Sequence, residues 1–71
     1  MHLNPAALTA IRVLNGLSQA ELGRRSKVSQ GHISEIERGD KQASPKTIKK
    51  LADALGVPMA ALVTVTEAVA S

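Results

Sequence analysis

The chain has 71 residues, of which 44% are hydrophobic and none are aromatic, and its formal net charge at pH 7 is +3. This is the size of one small domain with an aliphatic core. The absence of cysteine excludes disulfides and thiolate metal sites, and no apolar run is long enough to span a membrane.

The first predicted helix runs from Pro5, after the N-cap Asn4, to the turn Asn15-Gly16. Proline suits the first helical position because an amide there has no helical partner in any case. The apolar residues of this helix recur at helical spacing. We expect them to form one inward-facing stripe, made of Leu8, Ile11 and Leu14.

The second predicted helix begins after Ser18 and ends at Ser26-Lys27. Ser18 and Glu21 have the spacing of a capping box, in which the serine hydroxyl accepts from the Glu21 amide and the glutamate bonds the Ser18 amide. Gly23 lies within the helix, where it costs about 1 kcal/mol of helix stability. A residue without a side chain also lets a second helix approach closely.

The third predicted helix, Gln30–Arg38, is capped by Ser29 and closed by Gly39. It follows the second helix so closely that the two should cross at about 90–120°. One side of it is polar, and a helix with such a face can lie in the major groove of DNA. The other side and the preceding turn supply the expected core residues Val28, Ile33 and Ile36.

Ser44 caps a fourth predicted helix, and Pro58 begins a short fifth one. We predict five helices and no sheet. The tail Thr64–Ser71 fits both an alternating strand and a helix. The chain is therefore divided into a helix-turn-helix domain of residues 1–63 and a tail of residues 64–71, for which dimerisation and disorder both remain open.

Positive charge is concentrated in one part of the chain. All nine Lys and Arg lie between Arg12 and Lys50, together with only four of the six acidic residues. Such a basic field attracts polyanions. Proteins that bind RNA or single strands usually stack bases on aromatic side chains, which this chain lacks. We therefore expect double-stranded DNA as the partner.

The segment Leu17–Gly39 resembles the XRE-type helix-turn-helix family of lambda-type phage repressors and Cro proteins. The similarity extends to Arg12 before the motif, to Glu37-Arg38-Gly39 at its end and to Leu51–Pro58 after it. It covers roughly Asn4–Val63, most of the chain. The resemblance implies an all-α, five-helix lambda-repressor-like DNA-binding domain with the helix-turn-helix at helices 2 and 3.

This chain departs from the family pattern in the turn. The family usually has glycine where this chain has Lys27. That position tends to need a left-handed backbone, which costs a residue other than glycine about 1–2 kcal/mol. We expect the turn to tolerate this cost.

The exposed side of the third helix carries the candidates for reading bases. Gln30 can bond adenine N6 and N7 together, and Glu35 can accept a hydrogen bond from cytosine N4. The alternative for Glu35 is an intrahelical pair with Arg38 at i+3. The expected base-contacting residues are Gln30, Gly31, Ser34 and Glu35.

A second set is expected to contact the DNA backbone. Gln19 opens helix 2, where free amides suit a phosphate oxygen, and in the family a Gln here often braces the Gln that opens helix 3. His32 either reaches a phosphate or base, or is solvated or partly packed. The set comprises Gln19, Ser29, His32, Arg38, Lys41, Gln42, Ser44 and Lys46; Arg24, Arg25 and Lys27 either join it or only solubilise the surface.

Arg12 and Glu37 are the expected structural pair. Glu37 lies four residues after Ile33 and so shares the inward-leaning side of its helix. A half-buried carboxylate needs a cation, and Arg12 on the first helix is the candidate that the family resemblance also implies.

The sequence thus predicts a sequence-specific transcriptional regulator of duplex DNA, most simply a repressor or Cro-like protein in the cytoplasm, associated with the nucleoid. The alternatives are an antitoxin, a restriction–modification controller, or a transcriptional adaptor that does not bind DNA. No catalytic site, cofactor, metal, membrane contact or small-molecule ligand is expected.

A domain of this size makes few base contacts, so we expect a homodimer that reads two half-sites. The apolar end of the chain supplies the candidate interface. Its residues are Met59, Leu62 and Val65.

Overall fold

Four capped helices account for most of the computed structural model, which describes residues 2–64. They are α1 (Pro5–Leu14), α2 (Gln19–Ser26), α3 (Gln30–Glu37) and α4 (Pro45–Leu55). The four predicted N-caps all form, because the side chain of each capping residue accepts from amides of the first turn. These caps are Asn4, Ser18, Ser29 and Ser44.

The capping box of α2 is only half formed. The Ser18 hydroxyl accepts from the Glu21 amide at 3.0 Å, as the sequence predicts. The carboxylate of Glu21 does not bond the Ser18 amide but turns toward the guanidinium groups of Arg24 and Arg25. A charge-assisted contact competes here with a neutral amide, and ionised partners are generally the stronger ones.

The predicted fifth helix is a single 3-10 turn, Met59–Leu62. The two residues after this turn form a strand, β2 (Val63–Thr64), which pairs antiparallel with β1 (His2–Leu3). The prediction that there would be no sheet is therefore wrong. Strands of two residues are too short to show a period-two pattern, and here the partners come from opposite ends of the domain.

One apolar core joins all these elements. Leu8 of α1, Ile33 of α3 and Leu51 of α4 are each 0% exposed, and Ile36 and Leu62 close the core around them. The only buried polar residue among residues 2–63 is Ser26 at the end of α2, whose hydroxyl accepts from the Val28 amide at 3.2 Å. That bond fastens the turn between α2 and α3.

Two expectations about apolar residues need correction. Leu14 does not belong to the inner stripe of α1, because it is 84% exposed. Leu62 is 0% exposed, so its side chain is part of this domain's own core and is not available to a partner. Of the other two interface candidates, Met59 is half-buried against the core, and Val65 lies outside the described residues.

No helix within residues 2–64 combines the length and the apolar character needed to cross a membrane.

Candidate nucleic-acid interface

Helices α2 and α3 meet at a tight turn around Lys27. Lys27 adopts the left-handed conformation that the sequence predicts, with φ 62° and ψ 29°. The contact is close on the α2 side: a Cβ added to Gly23 would lie 2.9 Å from the carbonyl oxygen of Val28. A glycine at this point therefore lets the start of α3 approach the side of α2.

A network of buried polar groups holds the far end of α3. The guanidinium of Arg12 donates to the carboxylate of Glu37 through Nε (2.7 Å to Oε2) and NH2 (3.1 Å to Oε1). Its NH1 donates to the carbonyl oxygen of Leu17 at 2.8 Å. The two side chains are only 13% and 7% exposed. The predicted pair thus joins α1, α3 and Leu17, which lies two residues before the start of α2.

The pair perturbs both of its members. The hydrogen bonds that Arg12 donates to the Glu37 carboxylate raise the pKa of Arg12, against the opposing effect of burial. Burial alone would raise the pKa of Glu37, but the hydrogen bonds from Arg12 and Gln19 and the charge of Arg12 outweigh it, so the pKa is lowered. Both groups are therefore held in their charged forms.

Gln19 has a different role from the one expected. Its Nε2 donates to Oε1 of Glu37 at 3.0 Å, so its side chain braces the end of α3 rather than Gln30 at the start. The sequence could not show this, because Gln19 and Glu37 are brought together only when α3 crosses α2. The backbone amide of Gln19, at the start of α2, still suits a phosphate oxygen.

The outer side of α3 is polar, as predicted. Gln30 and Gly31 are exposed, and no hydrogen bond of the Gln30 side chain is found within residues 2–64. Glu35 lies 3.7 Å from His32 rather than next to Arg38. Its carboxylate is about one-third exposed, which leaves it able to accept from outside.

Arg38 is the C-cap of α3 and is held by two neighbours. Its NH1 donates to the Ser34 hydroxyl, and its Nε donates to Asp40 Oδ2 at 2.9 Å. Arg38 and Asp40 are both more than half exposed. A phosphate could therefore replace Asp40 as the partner of Arg38 at little cost, since exposed ion pairs contribute little.

The loop after α3 packs back against the end of α3 and the core. The amides of Asp40 and Lys41 donate to the carbonyl oxygen of Glu35, and Ala43 is buried. Gln42 accepts a hydrogen bond from the Leu3 amide through Oε1 at 3.2 Å. Its carbonyl is thus committed to strand β1, and only its Nε2 group is left for DNA. No local pattern indicates a contact across 39 positions.

The remaining predicted backbone contacts lie around these elements. Ser44 uses its hydroxyl for Thr47, whose amide it caps and whose Oγ1 accepts from it. Ser29 is exposed and uses its oxygen for the His32 amide. Lys41 and Lys46 are exposed.

An open depression lies between α2 and the start of α3. It brings Arg24 and Lys27, two of the cations whose role was left open, next to Gln30. Arg25 does not line it. The depression therefore combines positive charge with the leading candidate for a base contact. Its lining consists of Ala20, Gly23, Arg24, Lys27, Val28, Ser29 and Gln30.

Known proteins resemble this chain over nearly all of these elements. The helix-turn-helix family model HTH_3 matches residues 8–62. The uncharacterized HTH-type transcriptional regulator y4dJ of Sinorhizobium fredii is 42% identical over 57 residues, which cover 80% of this chain and 74% of that protein.

Solved structures share the fold. The restriction-modification controller protein C.AhdI from Aeromonas hydrophila has a TM-score of 0.81 and 32% identity, over 83% of this chain and 89% of that chain. The clp gene regulator ClgR from Corynebacterium glutamicum has a TM-score of 0.75 and 39% identity, over 79% of this chain and 60% of that chain.

Proposed function

This chain belongs to the helix-turn-helix family of DNA-binding transcriptional regulators, and we propose that it recognises one duplex sequence by laying α3 in the major groove. By occupying a promoter in this way it acts as a repressor or Cro-like regulator in the cytoplasm, associated with the nucleoid.

The observation that carries the proposal is the free side chain of Gln30. It is exposed at the first position of α3 and makes no hydrogen bond to any residue in the range 2–64. An amide left free at the leading end of a helix can bond adenine N6 and N7 at once. Next to it, Gly31 carries no side chain that would keep the helix away from the base edges.

The rest of α3 is suited to hold that side chain in place. Ile33 and Ile36 anchor the helix in the core, and the Arg12–Glu37 pair ties its far end to α1. A reading helix must be rigid, because a contact that is free to move loses geometric selectivity. Glu35 and Ser34 then take the remaining base contacts, with cytosine N4 the partner of Glu35.

Backbone contacts surround the reading helix. Arg24 and Lys27 line the depression beside Gln30, and Arg38, Lys41 and Lys46 follow it. We assign these cations to phosphates, together with the backbone amides at the start of α2. Four further residues contact phosphates through donor groups that are not already used within the domain. They are Ser29, His32, Gln42 and Ser44.

We propose further that two copies occupy one operator. A single copy presents few base contacts, and two recognition helices about 34–36 Å apart would read successive turns of one DNA face. Met59 and Val65 remain candidates for that contact, whereas the buried Leu62 does not.

The test is selection from a random duplex library at about 50 mM and about 200 mM salt. We expect an enriched inverted repeat and a steep loss of affinity at higher salt. Gln30→Ala should lose selectivity at one position of each half-site, whereas Lys49→Ala, the matched control on the exposed side of α4, should not. Weak binding without any enriched sequence would refute the proposal and favour a transcriptional adaptor.

A second candidate is a restriction–modification controller. The observation in its favour is the likeness to C.AhdI, which extends over 89% of that controller's chain. A restriction or methyltransferase gene beside this one, with the selected operator upstream of it, would support the controller. A neighbouring toxin gene would instead indicate an antitoxin.

A further inference from the structure

Ser34 lies between two functional side chains on the polar side of α3. Gln30, Ser34 and Arg38 are spaced i, i+4 and i+8, so they follow one another along one side of the helix and its C-cap. Gln30 and Arg38 are exposed, and Ser34 is half-buried between them. Ser34 therefore stands between a residue that we assign to a base and one that we assign to a phosphate.

Arg38 is held in one orientation by contacts at two of its nitrogens. Its Nε donates to Asp40 Oδ2 at 2.9 Å, and its NH1 donates to the Ser34 hydroxyl. The backbone fixes Asp40, because Gly39 turns the chain with a φ of 81° and the Asp40 amide donates to the carbonyl oxygen of Glu35 at 2.9 Å. A planar guanidinium that is bound at two nitrogens is oriented. The group is therefore directed at Ser34 although the Arg38 side chain is more than half exposed.

This contact decides what the Ser34 hydroxyl can still do. A serine hydroxyl has one proton to donate and two lone pairs that accept. Arg38 occupies one lone pair, and its positive charge polarises the hydroxyl, which makes the O–H group a stronger donor and the remaining lone pair a weaker acceptor. A serine within a helix often donates to the carbonyl oxygen four residues earlier, but no such bond to Gln30 is found within residues 2–64. The Ser34 proton is therefore available to an acceptor outside the domain.

Only some bases offer a suitable acceptor in the major groove. Guanine presents N7 and O6 and thymine presents O4, whereas cytosine presents only the N4 amino donor, and adenine presents an acceptor and a donor side by side. A hydroxyl next to a guanidinium attracts the oxygen of guanine or thymine. It disfavours an amino group, because the hydrogens of that group carry partial positive charge.

Arg38 can polarise Ser34 and bind the DNA backbone at the same time. No hydrogen bond of its NH2 group is found within residues 2–64, so this nitrogen is free for a phosphate oxygen. One guanidinium then joins a phosphate to the hydroxyl beside a base. A lysine has a single compact ammonium group and lacks this planar fork.

We propose that Arg38 is a positioning residue that makes Ser34 a hydrogen-bond donor, so that Ser34 reads guanine or thymine and rejects cytosine at one position of each half-site. This inference rests on the proposed function, because it requires that α3 lie in the major groove. It deepens that function by giving Ser34 the opposite base preference to Glu35, whose carboxylate accepts from cytosine N4.

The test is selection from a random duplex library with the wild type and matched variants. At the position that Ser34→Ala alters, the wild type should prefer guanine or thymine over cytosine by about tenfold, which is within the usual cost of one mismatched pair. Arg38→Lys keeps the charge for the phosphate but not the fork, so this preference should fall below about threefold. The control Lys41→Ala removes a phosphate contact and should lower affinity for all sequences alike, with the preference unchanged.

A double variant separates positioning from a direct base contact of Arg38. In the Ser34→Ala background, Arg38→Lys should cause no further change at that position, because the hydroxyl on which Arg38 acts is gone. Three results would overturn this inference alone: an additive change in the double variant, an unaltered preference in Arg38→Lys, or a wild-type preference for cytosine at that position. A wild type that enriches no sequence would overturn the proposed function as well.

Discussion

Arg12 donates two hydrogen bonds to the carboxylate of Glu37, at 2.7 and 3.1 Å, and this pair fixes the end of α3 against α1. Glu37→Gln should lower the free energy of unfolding by up to about 3–5 kcal/mol, because it leaves the largely buried Arg12 charge without a counter-ion. Urea denaturation measures the loss. An unchanged free energy of unfolding would show that the pair contributes no stability.

The same pair makes stability depend on pH. The pKa of Glu37 is lowered in the folded state from its ordinary value of 4.5. Protons therefore bind the unfolded chain more readily, and the stability due to the pair is fully present above about pH 4.5 and lost as the pH falls through the lower folded value. Denaturation at a series of acidic pH values should show this loss in the wild type. Glu37→Gln has no titrating group at that position and should lack this component.

The left-handed backbone of Lys27 can be tested with two substitutions. Lys27→Gly removes a strain of about 1–2 kcal/mol but adds about 0.5–1 kcal/mol of chain entropy to the unfolded state, so we expect a small net gain in stability. Lys27→Ala keeps the strain and should give no gain. Both lose the same charge, so thermal melting separates the backbone effect, and DNA affinity should fall equally in the two variants.

Leu62 and Leu14 should respond oppositely to truncation. Leu62→Ala should cost about 2–5 kcal/mol, because the side chain is fully buried and its removal leaves a cavity. Leu14→Ala should change stability by no more than about 0.5 kcal/mol, because the side chain is 84% exposed. The comparison is made by urea denaturation at low protein concentration, where copies are separate. Similar losses for the two leucines would contradict the described burial.

Glu35 should control selectivity at one base position. Glu35→Gln replaces an acceptor for cytosine N4 with an amide that suits adenine. The preferred base at that position should therefore change from cytosine to adenine, with a difference in binding free energy between the two bases of about 1–3 kcal/mol. Overall affinity should rise, since one negative charge near the phosphates is lost. Asp53→Asn removes an equal charge from the exposed side of α4 and should raise affinity less, without changing the preferred sequence. A selected site identical to that of the wild type would show that Glu35 does not contact a base.

The helices and the turn of this domain were accessible from short segments of sequence. Each N-cap bonds an amide within its own first turn, and Lys27 takes its left-handed conformation next to its own helix, so a few neighbouring residues suffice to predict them. The Arg12–Glu37 pair was predictable for another reason: a carboxylate on the inward side of a helix needs a cation, and the family resemblance implies that Arg12 supplies it.

Other features depend on which surfaces meet after the chain has folded. Leu14 has the spacing of an inner residue yet is exposed, and Leu62 follows an apolar pattern that does not show which side is covered. Gln19 and Gln42 are the same residue type at polar positions, but one bonds Glu37 and the other bonds the Leu3 amide. Hydrogen bonds within one turn follow from covalent neighbours, whereas burial and contacts between distant residues depend on how the helices pack together.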